Sequence, residues 1–475
     1  MQTSDSCGLA WAEEEFSDCE LGDQRRTARL MSVAACAFER PNGKVSAVFG
    51  VEREREGAYD LLENPHVSAD EIMASVARAT ARRADDSSFV VVPVDGSSLT
   101  LVDRADETDF GYVGPNKIGA RGLKVVSALA VDPNDVVIGW LAMTYWARPS
   151  SEGLPPRKSH ARDARSVDEK ETRYWVQTLE SAQAMLDEHK LRGWFQIDRE
   201  GDGADLLRVL TDSTHWWTVR SSHDRTIELA AGDVGRLRTE LERQKPEGAY
   251  ELDVPAVPGR KARKARMVVR IAKVVLRLRD RRNDRITRCE VVAVWTREEG
   301  TAPPNEKPLD WLLYTNREVT TLDDALLVVR SYAQRWRIEE CHRTWKRGDC
   351  NVESTQLRSV DAVHRWAIIL GAVAARIERL KRLARVHPQS PASVDLSPLE
   401  LRTLVLHRSR VDGHRRMGES TPTIADVVAW LAELGGFGGK YSGKPPGATV
   451  IARGLHRLSG LAEGVALADS LRATK

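Results

Sequence analysis

Phe89-Val90-Val91-Val92-Pro93-Val94-Asp95-Gly96 is an apolar run that stops on an acid. Consecutive apolar, valine-rich residues suit a strand buried on both faces, because successive side chains point to opposite sides of a sheet. Trp194-Phe195-Gln196-Ile197-Asp198 repeats the device further along. Between the two, the pattern predicts a strand over residues 123–130 and a turn at Asp132-Pro133-Asn134-Asp135. A third strand over 136–146 would form a hairpin with the second. A helix over 168–189 follows, with Tyr174, Leu179, Ala182 and Leu186 among its apolar positions.

Strand, strand, strand, helix, strand is the opening order of a ribonuclease-H-like fold, and it would set Asp95 and Asp198 at the ends of adjacent strands. The interval before Glu339 holds more than such a sheet needs. Residues 268–271, 274–278, 290–295 and 311–314 read as strands of an inserted β subdomain at 247–315. Its middle is basic: Arg260, Lys261, Arg263, Lys264, Arg266, Arg270, Lys273, Arg277, Arg279, Arg281, Arg282, Arg285 and Arg288 stand against Asp280 and Asp284. A nearly single-signed run over a predicted sheet suits a phosphate-contacting surface.

The two ends of the chain read as helical. Leu21-Gly22-Asp23 is a turn and N-cap, and the helix after it carries Arg25, Arg26 and Arg29 within about 100° of one another. Leu30, Val33, Ala34 and Cys36 supply its apolar side. The basic face suits DNA-backbone contact or simple solvation. Near the other end, 396–406 and 424–434 are amphipathic, Gly435 to Gly439 break the chain, and a last helical stretch starts at Leu455. Such a module suits core packing or an oligomer contact. The reading is an α/β chain: a ribonuclease-H-like catalytic core over 71–380 with the β insertion, flanked by helical domains at 1–70 and 381–475.

Bulk properties fit this. A chain of 475 residues exceeds the roughly 250–300 that one core serves. Net charge is only +2, which hides the local basic run. The longest apolar stretches, 89–94 and 367–375, fall short of the ~20 residues of a membrane span, and the N-terminus has no basic start leading into an apolar run. Cys7, Cys19, Cys36, Cys289, Cys341 and Cys350 form no CxxC pair and read as reduced thiols of a cytoplasmic protein. No GxxxxGK[ST], HExxH or GxSxG segment is present, so neither a nucleotide cofactor nor serine-hydrolase chemistry is expected.

Residues 322–346 read as one helix. On it Tyr332, Arg335, Glu339 and Lys346 fall within about 60° of each other, with His342 on the same side. One acid among bases suits a carboxylate that holds a metal while its neighbours hold phosphates; it also suits an exposed face with pairs such as Glu339 and Arg343. With Asp95 and Asp198, Glu339 completes a set of hard oxygen donors. Two magnesium ions about 3.5–4 Å apart on such a set would activate a nucleophile and stabilise a leaving oxygen in phosphodiester chemistry.

Tyr332-Ala333-Gln334-Arg335-Trp336-Arg337-Ile338-Glu339 through Lys346 matches a Y-x2-R-x3-E-x6-K signature. On it the chain resembles the insertion-sequence-four family of transposases. The likeness extends to Leu21 through Leu30, Glu56-Gly57-Ala58-Tyr59, Asn64-Pro65, Asp198-Arg199-Glu200-Gly201-Asp202, Trp311 and Leu434-Gly435-Gly436-Phe437. The resemblance implies cut-and-paste DNA transposition, with Asp95, Asp198 and Glu339 binding two Mg²⁺ (or Mn²⁺) ions. It implies that Tyr332, Arg335, Lys346 and Arg220 contact DNA near the cleaved end, and that Trp311 stacks a flipped base. Arg25, Arg26 and Arg29 would contact the transposon end. The expected partners are transposon-end DNA, target DNA and a second copy of the chain in a homodimer, in a nucleoid-associated bacterial protein. The alternative is an inactive DNA-binding relic or regulator. Against it stands the joint presence of all three acids and the helix signature.

Overall fold

The computed structural model describes residues 6–85, 87–102, 109–114, 119–148, 167–229, 233–256, 261–280, 282–300, 303, 306–411, 421–438 and 445–473. In chain order the first elements are α1 (Cys7–Phe16), α2 (Gln24–Glu39), α3 (Val45–Val48), α4 (Glu52–Leu62), α5 (Ala69–Arg83) and β1 (Val90–Leu101). Then come β2 (Gly111–Tyr112), β3 (Arg121–Val131), β4 (Val137–Trp146), α6 (Thr172–Glu188), β5 (Gly193–Ile197), α7 (Ala204–Thr211) and β6 (Trp216–Arg220). Next are β7 (Thr226–Glu228), β8 (Val234–Arg236), α8 (Leu237–Arg243), β9 (Gly248–Val254), β10 (Arg263–Arg279), β11 (Ile286–Glu298) and β12 (Asp310–Thr315). The last are α9 (Leu322–Ala333), α10 (Trp336–Lys346), α11 (Val360–Val386), α12 (Pro398–Val411), α13 (Ile424–Leu434) and α14 (Ala448–Ala473). These fall into two compact units. One comprises Met1–Ser87, Gly96–Ser150 and Arg337–Lys475; the other comprises Ser88–Asp95 and Ser151–Trp336.

The first unit joins the helical ends of the chain to a hairpin. Asp23 caps α2, accepting from the Arg25 amide at 2.9 Å, and Gly22 before it has φ +72°. Leu30, Val33 and Ala34 are buried, as the apolar side of that helix requires. Trp11 stacks on Phe38 at 4.9 Å, fastening α1 to α2. α11 serves as the axis of the unit. Its Arg365 is buried and donates to the carbonyls of Leu62 and Val67, and its Trp366 donates to that of Gly43 at 2.8 Å. β3 and β4 form the expected hairpin, with Asp135 of the turn at φ +76°. Gly122 on β3 has φ +153°, and a Cβ there would lie 1.8 Å from the Leu99 carbonyl oxygen, so only glycine fits.

The second unit is a sheet that begins parallel and turns antiparallel. β1 and β5 pair in parallel from Val90↔Gly193 to Val94↔Ile197, and β5 pairs in parallel with β6 up to Ile197↔Val219. Parallel neighbours need a crossover, and α7 supplies it between β5 and β6. β12 then runs antiparallel to β6, β11 to β12 and β10 to β11, with β7 and β9 on β10 and β8 on β7. α9 lays Ala325, Val328, Val329 and Tyr332 on a core of Trp194, Val269, Val292, Val294 and Leu313.

Two expectations change. The strands expected at 268–271 and 274–278 are one strand, because β11 pairs without a break from Met267↔Glu298 to Arg279↔Ile286. The single helix expected over 322–346 is two, α9 and α10. At the junction the Arg335 amide bonds the Tyr332 carbonyl at 3.0 Å, a tighter turn than the helix on either side. No proline or glycine between Ala333 and Trp336 marks that turn in the sequence. The four-residue stripe counted on one continuous helix is therefore interrupted at Arg335. Among the described residues no helix is long and apolar enough to cross a membrane, and all six cysteines are free thiols.

Candidate active site

Val94↔Ile197 is the last paired step between β1 and β5, so Asp95 and Asp198 are the next residue on each of two neighbouring parallel strands. The carboxyl ends of parallel strands are where α/β sheets hold their ligands. Asp95 is buried, at 9% exposure. Asp198 is half-buried and caps the short 3₁₀ turn Arg199–Gly201, its Oδ1 accepting from the Glu200 amide at 2.8 Å. Its Oδ2 accepts no hydrogen bond from the described residues.

The same unit brings Arg220, Trp311, Tyr332 and Arg335 to these aspartates. Arg335 Nη1 lies 3.5 Å from Asp95 Oδ2, with both side chains largely buried. Tyr332 is buried one turn earlier, its charge environment including Arg220, Arg335 and Asp198. Burial raises the Tyr332 phenol above its usual range, the Asp198 charge adds to this, and Arg335 and Arg220 oppose it. The phenol is thus a neutral donor at pH 7. Arg220 donates to the carbonyl of Asp310 at 3.3 Å, while its Nε is buried with no partner among the described residues. Burial lowers its guanidinium from the usual value. Its Cζ sits 5.5 Å from the Trp311 ring centroid, and the Tyr332 ring meets the same indole edge-on at 5.4 Å. Trp311 also packs on the unit's core. Asp202 braces the site. Its fully buried carboxylate takes the Ser222 amide at 2.6 Å and Arg225 Nε at 2.9 Å, tying the turn after Asp198 to the loop after Arg220.

Glu339, Lys346, Arg25, Arg26 and Arg29 belong to the first unit. There α10 is held on several sides. Arg337 donates to Asp135 at 2.7 and 3.1 Å, Glu340 takes Lys381 at 3.0 Å, and His342 shares a 2.7 Å hydrogen bond with Ser127. Lys346 Nζ lies 3.3 Å from Ser97 Oγ and 3.6 Å from Glu353, which also accepts the Thr100 amide at 3.0 Å. Glu339 is half-buried on this clamped helix. Ser97, Ser127 and Glu353 carry no signal in the sequence; their role is visible only once β1, β3 and α10 are assembled. At the N-terminal module Arg25 is exposed and pairs with Asp23 at 2.9 Å, Arg26 donates to the Leu21 carbonyl at 2.9 Å, and Arg29 lies against Gly57.

The strand expected to stop at Asp95 runs on to Leu101, and it is the parallel pairing with β5 that stops there. Two hard oxygen donors where that pairing ends, one with an uncommitted oxygen, are of the kind a divalent cation takes. Among the described residues no three His, Cys, Asp or Glu side chains are gathered closely enough to hold an ion.

The basic run over 260–288 is less single-signed than its sequence. Arg263 is held by Glu298 and Glu306, Lys264 by Glu251 at 3.2 Å, Arg266 by Glu299 at 2.9 Å, and Arg288 by Glu228 at 2.8 Å. Arg279 and Arg282 take Asp284 and Asp280. Most of these acids lie more than a dozen residues from the base they hold. Arg260 and Arg281 lie outside the described residues.

Comparison with known proteins bears on this geometry. Residues 166–376 match the family described as "Transposase DDE domain". The chain carries a DDE transposase domain. Residues 9–67 match a second family, "Transposase DNA-binding", which spans Arg25, Arg26 and Arg29. The DDE domain takes in Asp198, Arg220, Trp311, Tyr332, Arg335, Glu339 and Lys346, while Asp95 precedes its matched span. A DDE domain implies a ribonuclease-H-like core, dependence on a divalent metal, and an enzyme that cleaves and transfers DNA. The DNA-binding domain makes DNA its partner. One solved structure, endonuclease V of Ciona intestinalis with a 24mer DNA containing an inosine followed by a ribo-adenosine, is 15% identical over 54% of this chain and 86% of that one. Its TM-score of 0.21 is too low to carry an argument.

Proposed function

We propose that the chain is a cut-and-paste transposase of the insertion-sequence-four family, in which Asp95, Asp198 and Glu339 hold two divalent ions, magnesium or manganese. The observation that carries this reading is that Asp95, within β1, and Asp198, just past β5, are the next residues after the last parallel pair Val94↔Ile197, beside Arg335, Arg220 and Tyr332. Glu339 lies four residues after Arg335 in the sequence, on a helix clamped by Asp135, Lys381 and Ser127. The bound ions would supply a strong nucleophile and a stabilised leaving oxygen. Around them Arg335, Arg220 and Lys346 would hold phosphates near the cleaved end, and Tyr332 would donate from its neutral phenol. A flipped base on Trp311 would take the place of the Arg220 guanidinium over the indole.

The reaction order in this reading is nicking at the transposon end, attack of the freed 3′-hydroxyl on the opposite strand to form a hairpin, hairpin opening, and strand transfer to target DNA. Residues 1–70 would read the end. Residues 381–475 would form a homodimer contact, for which Leu406, Val411, Leu461, Leu467 and Leu471 on α12 and α14 offer exposed apolar side chains. The deciding experiment incubates the protein with Mg²⁺ or Mn²⁺ and DNA carrying the terminal repeats of its own element. Hairpins and joined products from wild type, and neither from Glu339→Gln, are expected. Nicks without hairpins would reduce the protein to a nuclease. Identical products from wild type and Glu339→Gln would remove Glu339 from the site.

A further inference from the structure

Lys170, Arg208, Arg225, Arg236, Arg277 and Arg279 line an open cavity of 620 Å³ within the second unit. It is walled by the turn after Asp198, the loop after Arg220 and the outer ends of β8 and β10. Aspartates line it too, but each is engaged. Asp202 is taken by Arg225, Asp205 by Lys170 and Arg208, Asp280 by Arg282, and Asp284 by Arg279. Asp224 accepts the Arg238 amide at 3.0 Å.

Three guanidiniums are left with donors to spare. Arg277 has no ion pair among the described residues. Arg236 gives Nη1 only to a carbonyl oxygen, that of Asp224, at 2.9 Å. Arg208 Nη1 is buried without any partner there. Arg277 also stands directly opposite Arg288 in the β10–β11 register. Like charges in that relation destabilise a sheet. Glu228 neutralises Arg288 at 2.8 Å and leaves Arg277 for another anion.

We propose that this cavity takes the phosphodiester backbone of a DNA strand, with Arg277, Arg236 and Arg208 donating to its phosphates. The volume suits more than one isolated ion. The walls are charged, with no aromatic ring other than His223 to hold a base, so the contact positions DNA without reading its sequence. Asp202 in the wall is joined by one short turn to Asp198, so a strand seated here is directed toward the aspartate pair. The inference rests on the DNA-processing reading above and adds a phosphate site that the basic run in the sequence does not isolate.

The test is a salt titration of full-length protein binding a labelled duplex without terminal repeats, with divalent metal chelated. Each phosphate that the protein no longer neutralises makes the slope of log affinity against log salt shallower by about 0.9. Arg236→Glu/Arg277→Glu should therefore reduce the slope by about 1.8. Arg236→Lys/Arg277→Lys should keep the parent slope. Lys245→Glu/Lys307→Glu is the matched control, since both lysines are exposed in the same unit but outside the cavity. Circular dichroism melts establish that each variant is folded. An unchanged slope in the arginine reversal, or an equal reduction in the lysine control, overturns the proposal. Protection of the parent but not of the arginine reversal by millimolar inorganic phosphate, with the DNA slope unchanged, would assign the cavity to a free ion instead. Cleavage of end DNA by the parent reports separately on the transposase reading, so the two can fail independently.

Discussion

Arg220 and Arg263 both stand on strands of the second unit, and both are mostly withdrawn from water, yet their neighbours differ. Arg263 is enclosed by Glu298 and Glu306, which cancel its charge within the sheet. Arg220 meets a phenol, an indole and a carbonyl oxygen, and its Nε has no partner among the described residues. An arginine bound by two acids has little field to offer a ligand. One desolvated against neutral groups costs stability and keeps its charge for an incoming anion. Charge counted along the sequence therefore overstates the insertion as a phosphate surface and understates the neighbourhood of Asp95 and Asp198.

This contrast can be broken at several points. The largest effect is expected where an acid is held deep. Arg225→Met strips the fully buried Asp202 of its guanidinium and should cost about 3–5 kcal/mol in urea unfolding. A cost below about 1 kcal/mol would mean that Ser222 alone sustains the brace. Arg335→Ala should slow single-turnover cleavage of end DNA about 10²–10³-fold, as removal of one preorganised donor does. Arg263→Ala, assayed well below its melting temperature, should leave that rate unchanged, and equal slowing in both variants would erase the distinction. Trp311→Ala should raise the barrier of the hairpin steps by about 1–3 kcal/mol while sparing the first nick. Uniform slowing of all steps would return Trp311 to a purely core role. The smallest effect is expected at Arg266, whose pair with Glu299 is 69% and 59% exposed. Arg266→Ala should change stability by less than about 1 kcal/mol, read from the same unfolding curves.

Much of the fold was legible. The valine run before Asp95, the aromatic run before Asp198 and the hairpin turn at Asp132 to Asp135 all lie where the residue pattern places them, because strand period and turn chemistry are local properties. The Asp23 cap and the 424–434 helix are of the same kind. Adjacency of the two aspartates follows from element order, and the β1–β5 register bears it out. The junction at Arg335 was not legible, since nothing in Ala333 to Trp336 breaks a helix by propensity. Nor were Ser97, Ser127 and Glu353, which are ordinary residues until a distant helix is laid beside them.

By itself the sequence determined where most strands and helices lie, and which acids and bases they carry. These follow from side-chain periodicity and from the valences of turns and caps, which act over a few residues. Only the tertiary structure decided which charges cancel. Arg263 meets Glu298 and Glu306, Arg337 meets Asp135, and Arg365 meets the carbonyls of Leu62 and Val67 across long stretches of chain. Electrostatic and hydrogen-bond partners are chosen by proximity in space, and proximity between remote segments exists only after the sheet and its helices have assembled. For that reason the aspartate pair could be expected from the sequence, and the guanidiniums of Arg220 and Arg277, which pair with no acid among the described residues, could not.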